Sequence, residues 1–477
     1  MGERVFDVAI IGAGVSGANI ARHLSSYELD VILLEGEEDI SFGVSKANSG
    51  IVHGGFHHDG RYLKSRLEVR GAAMFDRLAD ELGFPFQRCG IIAVALHPDD
   101  FGALGQLYER GRANGAPGIE MCSRERMLEL EPKLTPETVG GLYAPCGGIV
   151  EPYRFVFSLV ESAIKNGLEL RTNWRLESAS REGASWRLCA STGSSVLASR
   201  IVNAAGLRAD EVSQLFSAED FTIKGRKGQY WLLDRLTRSK PSRVVFPVPS
   251  AISKGVLVVP TVEGTVLLGP TATELDDKDD AATTRDELEY ILRSARTLIP
   301  SISETDVIAT FSGTRPVLGE DFMIQRSGLV PGLVQVAGIQ SPGLTASPAI
   351  GEYVTGLLAQ DGLDLVPKQD WRPLLDRAPH ARDLSFEELD QLIEINPAWG
   401  SIVCRCERVS EAEIVNAIRS GHHTLDGIKF YTRAQMGRCQ GGFCGARILQ
   451  LIMRETGLAA GEITKRGGNT TVIGGVV

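Results

Sequence analysis

The chain has 477 residues and a formal net charge of −10, with 43% hydrophobic and 23% charged residues. These proportions exclude a disordered or fibrous chain, and the acidic balance argues against a general nucleic-acid binder. At roughly 100–200 residues per domain the length allows two to four domains. Glycine is the outlier: the 53 glycines make about 11% of the chain against roughly 7% on average. Many sit beside small residues in short motifs, where backbone can come close to a ligand.

No run reaches the roughly 18 apolar residues that a spanning helix needs. The N-terminus carries charge, and the apolar run Val8–Gly17 is broken by three glycines. It reads as a buried strand and turn rather than a signal peptide. The expectation is a cytoplasmic protein without a direct membrane span, associated with membranes only through a partner. Of the eight cysteines, Cys89, Cys122, Cys146 and Cys189 are scattered and read as packed thiols.

Residues 6–35 read strand, glycine turn, helix, strand. Phe6–Ile11 is a β-branched apolar run, GAGVSG follows at 12–17, Ala18–Ser25 has helical periodicity, and Val31–Leu34 ends at Glu35. This is the dinucleotide fingerprint in its context. Gly12 makes the tight turn, Gly14 lets backbone approach a pyrophosphate, and Gly17 lets the helix pack on the strand. Ser16 lies in the same loop, and Glu35 is placed to accept hydrogen bonds from the adenosine ribose. Two later segments end on small residues: Arg200–Gly206, and Leu333–Gly338 followed by GIQSPGLTASPAIGEYV, with a helix expected near Leu344. Three such segments along one long domain suit FAD lying across a sheet better than NAD on a compact one. Gly206, Gly338, Gly343, Leu344 and Thr345 join the cofactor candidates.

Between about 220 and 315 the chain alternates as VVFPVPS, GVLVVPT and GTVLLGPT. Short strands with turn residues between them predict an inserted antiparallel sheet that covers the reactive end of the cofactor. The expected division is therefore a Rossmann-like α/β FAD-binding domain at 1–85, 150–220 and 315–370, and a substrate domain at 86–149 and 221–314. A proline-containing linker follows at 371–397, and a small helical domain occupies 398–477. In that last segment Cys404-Arg-Cys406 is separated by 32 residues from Cys439-Gln-Gly-Gly-Phe-Cys444, with short helical pieces expected at Ser410–Ile418 and Leu425–Thr432. Four thiolates can hold a [2Fe–2S] cluster or one zinc ion. The single residue inside the first pair departs from the usual zinc spacing, and nearby glycines free amides for cluster sulfurs, which favours iron–sulfur.

CRCERVSEAEI…MGRCQGGFC resembles the bacterioferritin-associated-ferredoxin type of [2Fe–2S] domain. KANSGIVHGGF…LKSRLEVRG, with GLRAD, GVLVVPT, GPTA, SGTRP and AGIQSPGLTASPAI, is similar to the FAD-dependent glycerol-3-phosphate dehydrogenase/oxidase branch of D-amino-acid-oxidase-type flavoproteins. The combination resembles the large subunits of anaerobic glycerol-3-phosphate dehydrogenases. The resemblance implies that Ser45, Asn48 and Ser49 lie against the flavin and that Lys254 contributes to substrate binding. It also implies oxidation of sn-glycerol 3-phosphate to dihydroxyacetone phosphate, with electrons leaving through the cluster to a redox partner protein or subunit. Two alternatives stay open: a 2-hydroxy acid such as 2-hydroxyglutarate, or an amine, as substrate, and a zinc-bearing docking module as the C-terminal domain.

Alcohol oxidation by a flavin needs a base and, for an anionic substrate, a cationic anchor. His53 in SGIVHGG is the base candidate, because imidazole titrates near neutral pH and Gly54 and Gly55 leave room beside it. A core histidine is the plainer alternative. Arg315 in SGTRP is the anion anchor, since a guanidinium can grip phosphate or carboxylate with two bonds; a surface ion pair is its alternative. Ser347 can hydrogen-bond substrate or simply pack a helix.

Overall fold

The computed structural model describes residues 3–249, 255–376 and 378–474. They form two compact units, Met1–Gly36 with Ser41–Leu375, and Glu37–Ile40 with Asp376–Val477.

In the larger unit the first sheet grows from the Val5–Ile11 strand. It pairs in parallel with Val31–Leu34 on one side, in register Ile11 to Leu34, and with Ser195–Asn203 on the other, Ile11 to Asn203. Glu169–Arg171 extends the first side and Leu333–Ala337 the second, both in parallel. Leu176–Glu182, Ser185–Ala190 and Met323–Arg326 are antiparallel additions. Val8, Ala9, Ile10, Ile32, Leu33 and Leu34 are fully or nearly fully buried. A parallel sheet is covered on both faces, so its strands read as continuous apolar runs. The helix Val15–Leu24 turns directly off the first strand. The helix Gly343–Gln360 does the same after the Leu333–Ala337 strand.

Among the described residues the second sheet has nine strands drawn from two stretches of chain. Ile91–Ala95, Glu120–Ser123 and Gly140–Ala144 come from the first stretch, and the strands from Lys224 to Val317 from the second. They join where Ile91–Ala95 runs parallel to Val244–Pro247, and every other pairing in this sheet is antiparallel. The domain boundary expected at 314/315 falls inside the Val307–Val317 strand. That strand pairs without a break from Lys224–Val317 to Leu232–Ala309, so Arg315 belongs to the sheet.

The expected linker at 371–397 also needs correction. Phe386–Ile395 is a helix with a full capping box, Ser385 with Glu388. Its Leu389, Leu392 and Ile393 pack on a small core of Ala381, Trp399 and Ala412. Pro379 and Pro397 flank the helix rather than mark an open connection. The rest of this unit packs helices Glu411–Arg419, Leu425–Thr432 and Gly445–Thr456 around Ile414, Ile418, Ile428, Ile448, Leu451 and Ile452, with Cys404 and Cys444 in the same core.

Candidate active site

The nucleotide loop is built so that only glycine fits at positions 12 and 17. Gly12 has φ +103°, and a Cβ there would stand 2.5 Å from the Ala204 carbonyl oxygen; a Cβ at Gly17 would stand 1.9 Å from the Gly12 oxygen. Gly14 caps the Val15–Leu24 helix without a side-chain hydrogen bond, and no acidic residue occupies the first turn. A helix N-terminus open in this way is fitted to a pyrophosphate. The Ala13 N–H donates to Glu35 Oε2 at 2.7 Å, which holds the Glu35 carboxylate against the loop. Ser16 is buried within the helix.

The segment 44–49 closes over this helix end. Ser45 Oγ accepts from the Val15 N–H at 2.9 Å. Asn48 locks the turn: its Nδ2 donates to the Val44 and Ser45 carbonyls, and its Oδ1 accepts from the Gly50 N–H. Gly206, at φ +58°, starts the short turn after Ser195–Asn203, and Gly338, at φ +67°, ends the Leu333–Ala337 strand. Gly343, Leu344 and Thr345 open the helix that follows. Thr345 Oγ1 accepts from the His53 N–H at 3.0 Å and donates to the Ile51 carbonyl at 3.2 Å. The glycine loop, the 44–49 turn and the helix at 343 thus frame one cradle with the character of an FAD site. Ser347 is fully buried. Its hydroxyl accepts from Asn19 Nδ2 and donates to the Leu344 carbonyl, so its contacts are those of helix packing.

His53 is buried, with its Nε2 3.5 Å from Ser341 Oγ and its ring 6.3 Å from that of Phe246. Arg315 is half-buried on the second sheet. Its Nε donates to the Arg226 carbonyl at 3.3 Å and its Nη2 to the Thr271 carbonyl at 2.9 Å. No ion pair to Arg315 occurs among the described residues. Burial pushes its guanidinium pKa down. A desolvated cation held only by carbonyls gains strongly from an anion.

Strand alternation decides which side chains join Arg315. Along Lys224–Leu233, Lys227 pairs with Asp280, Gln229 bonds Thr284 and Trp231 donates to the Leu288 carbonyl. Arg226, Gly228 and Tyr230 therefore point to the other face, opposite Arg315, Gly313 and Phe311. Tyr230 stacks on Phe311 with ring centres 4.7 Å apart, and its hydroxyl is 3.3 Å from Ser49 Oγ. Burial raises the Tyr230 phenol pKa. The sequence reading missed Tyr230, Ser341 and Phe246; only for Tyr230 was there a signal, its two-residue phase with Gly228 and Arg226. Lys254 lies outside the described residues.

In the smaller unit the four clustered thiols meet in pairs. Cys404 and Cys444 share one hydrogen bond, and Cys406 and Cys439 another. Cys404 is pulled down to about 6, first by the bond from Cys444, while Cys444 is pushed up. Backbone amides of Glu407 and Gln435 also point at Cys404, and those of Gly441 and Phe443 at Cys439. Among the described residues no three His, Cys, Asp or Glu converge on a single-ion site. Two pairs of thiols with amides directed at the sulfurs fit a two-iron cluster better than one tetrahedral zinc ion.

A parallel nucleotide-binding sheet, a covering antiparallel sheet and a tetrad of cysteines define an FAD-dependent oxidoreductase that also carries an iron–sulfur domain. The profile of the FAD dependent oxidoreductase family matches residues 7–357, and that of the BFD-like [2Fe-2S] binding domain matches residues 402–454. The glycerol 3-phosphate dehydrogenase of Caloramator mitchellensis is 39% identical over 97% of this chain and 96% of its own. A subunit of the anaerobic glycerol-3-phosphate dehydrogenase of Escherichia coli is 26% identical over 94% of this chain and 88% of its own. The solved L-alpha-glycerophosphate oxidase of Mycoplasma pneumoniae, with FAD bound, is 31% identical and superposes with a TM-score of 0.75 over 79% of this chain and 100% of that one. The chain belongs to the FAD-dependent oxidoreductase family, in its glycerol 3-phosphate dehydrogenase branch.

Proposed function

We propose that the chain oxidises sn-glycerol 3-phosphate to dihydroxyacetone phosphate. The observation that carries this reading is Arg315: a guanidinium without an ion pair among the described residues, held by two carbonyls on the sheet face that also presents Tyr230. When bound, FAD supplies a two-electron hydride acceptor and the [2Fe–2S] cluster a one-electron relay.

The protein's own residues supply the rest. Arg315 binds the substrate phosphate, and Lys254 contributes to substrate binding. His53 receives the proton of the substrate hydroxyl as the adjacent carbon gives up its hydride, so the C–OH becomes C=O. The buried setting of His53, beside Phe246, keeps bulk water from that proton. Asn48, by locking the 44–49 turn, and Thr345, by fixing the His53 backbone, orient the base.

Electrons leave through the C-terminal unit to a protein acceptor. Phe443, next to ligand Cys444, is 87% exposed, and Arg405 and Arg438, next to ligands Cys404 and Cys439, are exposed on a chain of net charge −10. An exposed aromatic and exposed arginines beside these cysteines suit an acidic one-electron acceptor. Among the described residues no helix is long and apolar enough to cross a membrane.

A 2-hydroxy acid is the second reading, because Arg315 grips a carboxylate as well as a phosphate. Anaerobic addition of glycerol 3-phosphate or of L-2-hydroxyglutarate, followed at the flavin band, separates them. Bleaching by the phosphate ester supports the proposal. Bleaching by the hydroxy acid alone overturns it.

A further inference from the structure

Two hydrogen bonds close on Ala13 of the nucleotide loop. Its N–H donates to the Glu35 carboxylate at 2.7 Å, and its carbonyl accepts from the Ser41 N–H at 3.1 Å. Between these two anchors the chain makes a short excursion, and Glu37–Ile40 pack as part of the smaller unit.

Within that unit Asp39 is the fixed point. Its Oδ2 lies 2.6 Å from His422 Nδ1, both side chains being buried, and its Oδ1 accepts from the Ile40 N–H at 2.8 Å. The His422 ring packs on Tyr431 with centres 4.3 Å apart. Two glycines make room for the excursion. A Cβ at Gly427 would stand 2.7 Å from Asp39 Oδ2, and one at Gly467 would stand 1.9 Å from Glu38 Cγ. A buried carboxylate that loses its partner is costly, so this pair localises the four residues firmly.

We propose that Glu37–Ile40 is a strap through which the C-terminal unit sets the affinity of the larger unit for FAD, with Asp39 and His422 as positioning residues. Glu37 is two residues beyond Glu35, and Ile40 is next to Ser41. Fixing the strap fixes the backbone on both sides of it. The Ala13 peptide, bonded to Glu35 and Ser41, is then held where the pyrophosphate and ribose of FAD need it. The coupling is reciprocal: whatever factor the clamp adds to FAD affinity, bound FAD adds to the stability of the clamp. The inference rests on the FAD site but not on the identity of the substrate, and its test uses no substrate.

The test is the FAD dissociation constant of the deflavinated full chain, measured by quenching of flavin fluorescence, with iron content as the check that the C-terminal unit is intact. Asp39→Ala and His422→Ala are expected to weaken FAD binding about 5–20-fold, within the usual range of coupling between sites. His422→Asn, whose amide can still donate to Asp39, is expected to recover most of the loss. Leu392→Ala, which loosens the same unit away from the strap, is expected to leave the constant within about twofold of the parent. If the alanine variants lose their iron, Gly467→Ala, which crowds Glu38, gives the same reading from the other side of the strap. Unchanged FAD affinity in iron-replete strap variants overturns the proposal. So does an equal loss in Leu392→Ala, which would make the effect one of general stability.

Discussion

Gly313 and Ala47 touch so closely that a Cβ on residue 313 would stand 1.8 Å from the Ala47 carbonyl oxygen. This contact joins the second sheet to the turn that lies over the nucleotide loop. It sets the distance between the strand bearing Arg315 and the segment bearing Ser45, Asn48 and Ser49. Gly313→Ala must push the two apart. The expected outcome is a stable flavoprotein with kcat/KM lowered at least tenfold, about 1.4 kcal/mol in transition-state stabilisation. Steady-state kinetics beside flavin content check it; unchanged kinetics would show that the spacing is not used.

Arg315 is predicted to act on binding more than on chemistry. Arg315→Ala removes a charge-assisted bidentate contact worth roughly 1.5–3 kcal/mol, or about 10- to 150-fold. The loss should appear as a higher KM for glycerol 3-phosphate. Arg315→Lys should restore only part of it, because an ammonium cannot reproduce the fork that spans two carbonyls and an anion. Saturation curves for the three proteins decide the point.

His53 should behave in the opposite way. His53→Asn keeps the backbone N–H that Thr345 accepts but removes the base, so kcat is expected to fall by about 10²–10⁴ with little change in KM. Rapid-mixing measurement of flavin reduction provides the check.

Glu35→Gln tests the nucleotide loop. The glutamine retains a carbonyl for the Ala13 N–H but loses the charge that favours the ribose hydroxyls. FAD affinity should drop by about 10-fold, close to the value of one charge-assisted hydrogen bond. Equilibrium dialysis against FAD measures it.

Much of this architecture was legible in the sequence for simple physical reasons. Val31–Leu34 is a continuous apolar run because its strand is buried on both faces, and the helix Leu425–Thr432 begins at a threonine cap. Gly12 and Gly17 of the nucleotide loop are legible because nothing larger fits there. Other features were hidden. Tyr230 is distant in sequence from Ser49, and only the pairing of Lys224–Leu233 with Val307–Val317 places it beside Arg315. The helix Phe386–Ile395 was masked by its flanking prolines, although its capping box was readable in Ser385 and Glu388. Ser347 looked available for substrate because its partner Asn19 lies 328 residues away. His422 gave no signal at all, since Asp39 lies on a segment far upstream.

The four cysteines carry a further expectation. Cys439→Ser removes one member of the Cys406–Cys439 pair, which the amides of Gly441 and Phe443 support. Substrate should still bleach the flavin in this variant, while bound iron falls and transfer to one-electron acceptors is lost. Iron and sulfide analysis with stopped-flow absorbance checks both halves.

The most direct measurement for the whole account is anaerobic titration of the full-length protein with glycerol 3-phosphate, followed by visible absorption and EPR. Loss of the flavin band together with the signal of a reduced [2Fe–2S] cluster is the expected result. Unchanged spectra in a protein replete in FAD and iron would contradict it.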